Sequence, residues 1–249
     1  MSNLNPPIDV TFNVYMDSGG KDPDSYSPTL KKYHRLLWSK PLPSGKTFEL
    51  SETGINSYLT YNSEQGAMSL SSDSISNSYR DKKALSTIIK DLSKEVEEFR
   101  NIGSTIGGYI LFPSKKIGGR MTINGARGFN QKIADRFDLT LECIRLHYLG
   151  KSNPLEDVLN QNSAFFELFE TFPEYVEFFH LQDLVSSEDN YIKFFTPIQR
   201  PFEQSPLPNS KEEFLQYMEN SMQFTSMRNV RIREWSQSIQ FSMKENTKF

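Results

Sequence analysis

One cysteine, Cys143, occurs in the 249 residues. No intramolecular disulfide can form, a thiolate zinc site cannot assemble within one chain, and a reducing compartment is the natural home. Histidine is nearly as scarce. His34, His147 and His180 are the whole set, so a histidine metal centre would need nearly all of them to converge. No apolar run approaches the length of a membrane-crossing helix. The opening "MSNLNPPIDVTFNVYM" lacks the basic region and apolar core of a signal peptide. These absences lead us to expect a soluble, cytoplasmic protein with no membrane association.

Several reaction signatures are missing as well. There is no Walker A pattern, since "SGGKDP" lacks both the spacing and a following helix. There is no G-x-G-x-x-G after a strand, no H-E-x-x-H, no C-x-x-C and no G-x-S-x-G. The Arg-x4–6-His element of HEPN-type ribonucleases is absent too, because Arg145 stands too close to His147 and Arg136 three turns away.

What is present suffices for one domain over 1–249, with a flexible tail over 1–8 and a frayed end over 240–249. Charge is uneven. Residues 79–151 hold fourteen Lys/Arg against eight acids, whereas 152–249 hold eight against fifteen. A face coating DNA wants basic charge throughout, so this pattern leaves room only for a local anion site.

Periodicity and turn residues give a sequence of expected elements. "VTFNVYM" (10–16) alternates as a strand. Ser27 followed by Pro28 opens a helix through "TLKKYHRLLW". Short strands follow in 47–71, then a Ser/Asn-rich loop and an amphipathic helix over 82–100. "IGGYILFP" reads as a buried strand stopped by Pro113, and "MTIN" as a second one. A helix runs from Asn130 or Gln131 to a C-cap at Gly150. Helices broken by Pro173 come next, then an edge strand in "NYIKFF", and Ser210 opens a long last helix. The fold class is α+β: short N-terminal strands form a small antiparallel or mixed sheet packed against a predominantly helical C-terminal half. Phe165, Phe166, Phe169, Phe172, Tyr175, Phe178 and Phe179 recur at helical spacing and read as core.

The stretch "TINGARGFNQKIADRFDLTLECIRLHY" (122–148) carries the candidate chemistry. On a helix over 131–149, Asp135, Asp138, Glu142 and Arg145 share one quadrant between apolar faces. Buried charge demands pairing. The stripe is therefore either a structural ionic network or a catalytic set of Asp135, Asp138, Glu142, Arg145 and His147. In the catalytic version a carboxylate acts as general acid/base or holds a divalent cation. Cys143 reads as an inert core thiol. Ahead of the helix, Gly125, Gly128 and Asn130 can aim backbone amides one way, next to a helix N-terminus. With Lys116, Arg120, Asn124 and Arg127 they form a candidate phosphate or carboxylate cradle. "GARG" matches the GxxG loop of KH domains, without the helix that should precede it.

"GKDPDSYSPTLKKYHRLLWSKPLPSGK", "GGYILFP", "TINGARGFNQKIADRFDLTLECIRLHYLG" and "EYVEFFHLQDLV" together resemble a bacterial family carried as a domain of unknown function, the DUF6994-like group. The resemblance spans roughly residues 20–200. It implies a bacterial or mobile-element origin and brings no activity, fold or catalytic residue with it.

Two functional expectations follow. One is an anionic, phosphate-containing ligand, a nucleotide or nucleic acid, bound at the turn, by analogy in a phage-defence or toxin-type enzyme. The other is a non-enzymatic protein-interaction module whose charged helix is a structural ion-pair network.

Overall fold

The computed structural model describes residues 8–52, 59–64, 66–79, 82–115, 121–186, 188 and 190–245. Four strands form one antiparallel sheet in the order β1-β2-β3-β4: β1 (Leu50–Glu52), β2 (Leu59–Ser63), β3 (Gly66–Ser74) and β4 (Tyr109–Pro113). Leu59 pairs with Leu70 and Ser72 with Leu111, which sets the register. All five residues of β4 are buried, as its unbroken apolar run requires.

Three helices precede the sheet: α1 (Val14–Asp17), α2 (Pro23–Tyr26) and α3 (Pro28–Trp38). In α3, Ser27 Oγ accepts from the Leu30 amide at 3.2 Å and Pro28 takes the first helical position, as the sequence implies. The expected strand over 10–16 is instead α1. Asn13 Oδ1 accepts from the Met16 amide at 2.9 Å and the Val14 amide donates to Ser104 O, so capping overrides alternation.

The helix expected over 82–100 is interrupted. It divides into α4 (Ser86–Ile89) and α5 (Ser93–Gly103), because Leu92 leaves helical geometry and buries its side chain. "MTIN" is not a strand, since Thr122 caps α6 (Ile123–Phe129). The helix expected from Asn130 starts only at Phe137, giving α7 (Phe137–Tyr148). Asn130 breaks out because its side chain donates to Pro154 O at 2.9 Å and accepts from the Lys132 amide at 2.9 Å. Ala134 and Asp135 then take positive φ values of 47° and 61°, which forbids a continuous helix. At the far end, Gly150 adopts φ 62° just past the helix, and the Lys151 amide donates to Leu146 O.

Beyond α7 come α8 (Glu156–Gln161), α9 (Ser163–Phe166), α10 (Phe172–Phe178) and α11 (Lys211–Glu245). Pro173 sits in the first turn of α10 rather than breaking a helix, with Thr171 as the cap. In place of the edge strand, Ile192 makes one isolated bridge to Val185. Ser210 Oγ accepts from the Glu213 amide, opening α11 as expected. The seven aromatics from Phe165 to Phe179 are buried, with Phe169 within 4.9–5.3 Å of Phe165, Tyr175, Phe178 and Phe179 by ring centroid. They are core, joined to the sheet through Phe48. Of the tail expected over 1–8 only Ile8 is described, and it is buried; of the frayed end expected over 240–249, residues 240–245 are described and continue α11 as helix. The fold is thus α+β, an antiparallel sheet in the first half and helices in the second.

Candidate functional site

The glycines of "GARG" fall inside α6, not in an open turn. The Gly125 amide donates to Thr122 Oγ1 at 3.2 Å, and the Asn130 amide to Ala126 O. The amides expected to cradle an anion are therefore engaged by the chain itself. Asn124 donates to Ser71 Oγ at 3.2 Å, leaving its buried Oδ1 without a partner, an acceptor that an anion cannot satisfy. Gly128 faces open space. The hollow beside Ala126 and Asn130 is lined by Glu156 and Asp157, the wrong sign for phosphate. Lys116 and Arg120 lie outside the described residues.

Arg127 shows no exposed surface. Its guanidinium donates to Asp73 on β3 and to Thr140 Oγ1 on α7 at 2.9 Å, and it pairs with Asp135 at 3.5 Å. Asp135, in the turn before α7, also accepts from Asn77 at 2.8 Å. One guanidinium thus ties sheet, turn and helix together. Burial, with the charge of Asp135 beside it, raises the Asp73 carboxyl above its ordinary value, while Arg127 pulls it back.

Arg136 and Asp138 form a second, separate pair. Arg136 Nε donates to Asp138 Oδ1 at 3.0 Å and Nη2 donates to Oδ2. Nη1 donates to Thr196 Oγ1 at 2.8 Å and to Pro206 O at 2.9 Å. Asp138 Oδ2 also accepts from the Phe195 amide at 2.8 Å. Thr140 links the two networks, accepting from Arg127 and donating to Arg136 O at 2.9 Å. The pair ties the start of α7 to the segment that leads into α11.

Glu142 and Arg145 form a third pair, a two-point contact at 2.7 Å on each side. The four charged residues expected in one quadrant are therefore distributed over three arrangements, because Asp135 precedes the helix and Asp138 turns back to Arg136. His147 is half-buried, its ring 5.3 Å from that of Phe166, and burial lowers its pKa. Cys143 is buried, and desolvation pushes its thiol far up. Among the described residues, no three His, Cys, Asp or Glu side chains converge as a metal-ligand set.

A different cluster was not foreseen. Lys40 follows α3, and its Nζ lies 3.5 Å from Nε2 of His180. The ammonium stands over three rings, Trp38 at 5.2 Å, Phe178 at 4.6 Å and Trp235 at 5.3 Å from their centroids. Lys40, Phe178, His180 and Trp235 border a cleft of about 330 Å³ between Pro41–Pro43, α10 and α11. Beneath it, Arg228 is fully buried and donates to Phe179 O, Gly107 O and Tyr109 O at 2.7–3.0 Å. It makes no ion pair among the described residues, and one of its nitrogens, Nη2, has no partner. Burial lowers the Arg228 pKa to about 9. Burial, with the Arg228 charge adding to it, pushes Lys40 down to about 7 against an opposing pull from Glu177. Burial and the charges of Lys40 and Arg228 lower His180 to about 3. Next to this, Trp38 Nε1 donates to His34 Nδ1 at 2.9 Å. His34 must then carry its proton on Nε2 and donate to Ser72 Oγ, 2.9 Å away, so it cannot activate Ser72 as a base.

Asp73, Lys40 and His180 had no local signal. The pairing of Lys40 with His180 spans 140 positions. The one available hint was that a buried arginine at 127 would require a carboxylate from elsewhere.

Among the described residues, no helix is long and apolar enough to cross a membrane. No curated protein and no solved structure matches the chain. A family model described as a family of unknown function, DUF6994, matches residues 8–232. That span takes in the sheet, the charged helices and most of α11, and the chain belongs to this family.

Proposed function

We propose that this chain is a non-enzymatic interaction module, and that the charged stretch 122–148 is the ion-pair network that holds its helices in place. The observation that carries this reading is the Arg136–Asp138 pair, sealed from solvent with both carboxylate oxygens and every guanidinium nitrogen occupied. A general acid or base must reach its substrate, and a phosphate-binding arginine must present free donors. Arg127 and Arg136 present none to solvent. The phosphate reading, and with it the phage-defence or toxin role, would need amides that α6 has already used.

What remains available is surface. The acid excess of residues 152–249 suits a protein partner with a basic face, met in a reducing, cytoplasmic setting where Cys143 stays a thiol. Thermal shift against ATP, pyrophosphate, short single-stranded RNA and Mg²⁺ tests the reading. We expect no rise in Tm with any of them, and affinity capture to return a basic protein whose binding weakens as salt increases. A rise with ATP or pyrophosphate would overturn it.

A further inference from the structure

We propose that Lys40 is an attachment point for a neutral aldehyde or ketone carrying an apolar, ring-like body, captured as an imine on Nζ within the cleft between Pro41–Pro43, α10 and α11. The inference concerns a site apart from the charged helix and does not rest on the reading given for that helix.

Four observations converge. First, the amine lines a cleft of about 330 Å³ and forms no ion pair among the described residues, its hydrogen-bond partner there being His180 Nε2 at 3.5 Å. Second, part of the wall around the amine is apolar. Phe178 and Trp235 stand within 4.6 and 5.3 Å of Nζ, and Pro41, Leu42 and Pro43 line the cleft beside them. A flat hydrophobic body gains burial and ring contact there. Third, burial works against an ammonium at Nζ, while the facing charges divide, Glu177 at the lip for it and Arg228 beneath against it. Arg228 of α11 adds an unneutralised positive charge, His180 is neutral, and Glu177 of α10 opposes them from an exposed position. Lys40 thereby has a substantial neutral fraction near pH 7, the form that attacks a carbonyl. Fourth, Glu174 and Glu177 line the same cleft and disfavour an anionic ligand, while the buried Arg228 charge beneath disfavours a cationic one next to Nζ.

The reaction is balanced without any co-reactant. The Nζ lone pair forms the N–C bond as the carbonyl π bond opens onto oxygen. One proton passes from nitrogen to that oxygen to give the carbinolamine, and the hydroxyl then leaves together with the second nitrogen proton, as water, to give the imine. His180 is a positioning residue that holds Nζ toward the cleft.

The test is reductive labelling of the full-length native protein with benzaldehyde and cyanoborohydride at about pH 7, read lysine by lysine by peptide mass spectrometry. An ordinary lysine is neutral in about three molecules per ten thousand at that pH, and a half-neutral amine gains about a thousandfold, part of which its lower basicity takes back, leaving roughly ten- to a hundredfold. Lys40 should therefore outpace the exposed Lys32 and Lys94 by at least about tenfold. The advantage should shrink toward pH 10 and disappear in urea, and 4-carboxybenzaldehyde should label Lys40 several-fold more slowly than benzaldehyde. Lys40→Arg should lose this adduct alone. Labelling of Lys40 at or below the rate of Lys32 in the wild-type protein would overturn the proposal, and this comparison needs no variant to fold.

Discussion

Arg136 and Asp138, two positions apart, close a two-point ion pair at the start of α7 in which neither side chain reaches solvent. Two buried charges so close in sequence cannot be explained by helix periodicity, because Arg136 stands just outside the helix as its N-cap. The extended backbone at Arg136 lets its side chain fold back over Asp138 and reach Thr196 and Pro206 at the same time. The pair specifies where the segment 195–206 docks, a use of buried charge that trades solvation for a defined arrangement.

The helical state of "GARG" has a direct consequence for Gly128. A Cβ there would meet nothing within 4 Å, and the backbone is helical. Gly128→Ala should stabilise the protein by roughly 0.5–1 kcal/mol. Thr122→Ala should cost about 1 kcal/mol by removing the cap on Gly125. Both are read from urea midpoints. A loss of stability on Gly128→Ala would mean that this backbone is not the helix described.

A second expectation concerns close packing. Gly108 lies where a Cβ would run into the Gly103 carbonyl, and at Gly107 it would meet Asn229 Oδ1 at 2.6 Å and Thr225 O at 2.7 Å. At Gly107 α11 meets the approach to β4, and at Gly108 the end of α5 does. Gly108→Ala should destabilise by more than about 4 kcal/mol or abolish folding, since the obstruction is backbone and cannot rotate away. Soluble expression and circular dichroism will check it, and a folded variant of near wild-type Tm would refute this packing.

A third rests on Asp24, a buried carboxyl that accepts from the Ser72 amide at 3.0–3.1 Å. Burial raises its pKa to about 7 from 3.8. Unfolding between those values releases a proton, so this group's contribution to stability is complete at low pH and is lost as pH rises from about 4 to about 7. Asp24→Asn does not titrate. The variant should gain on wild type by on the order of 3 kcal/mol between pH 4 and pH 8. The slope of the difference is the readout, and a flat difference would show that the carboxyl is ionised in the fold at all these values.

Local chemistry made some of this structure legible. The Ser27–Pro28 start of α3, the Ser210 cap and the left-handed Gly150 each reside in a few adjacent residues and are found where the sequence placed them, and of the strand expected over 106–113 the part Tyr109–Pro113 is β4 while Ile106–Gly108 form a 3₁₀ turn. Aromatic spacing likewise identified the core around Phe169. The failures share a cause. Residues 10–16 alternate like a strand but Asn13 caps a helical turn, and Asn130 leaves its helix for a carbonyl at Pro154, 24 positions away. At the charged stretch the need for pairing was readable, but the partners Asp73, Asn77 and Thr196 came from distant elements. The cleft at Lys40 was illegible for the same reason, since His180 and Trp235 meet it only through tertiary packing.

The central claim, that charge in 122–148 builds the fold, is tested most directly by Asp138→Asn in equilibrium urea unfolding. The substitution leaves Arg136 charged and buried without its carboxylate, which should cost on the order of 3 kcal/mol, read as a shifted midpoint with an unchanged slope. Wild-type stability in that variant, together with loss of a measurable ligand or activity, would contradict the account and return Asp138 to the role of a working carboxylate.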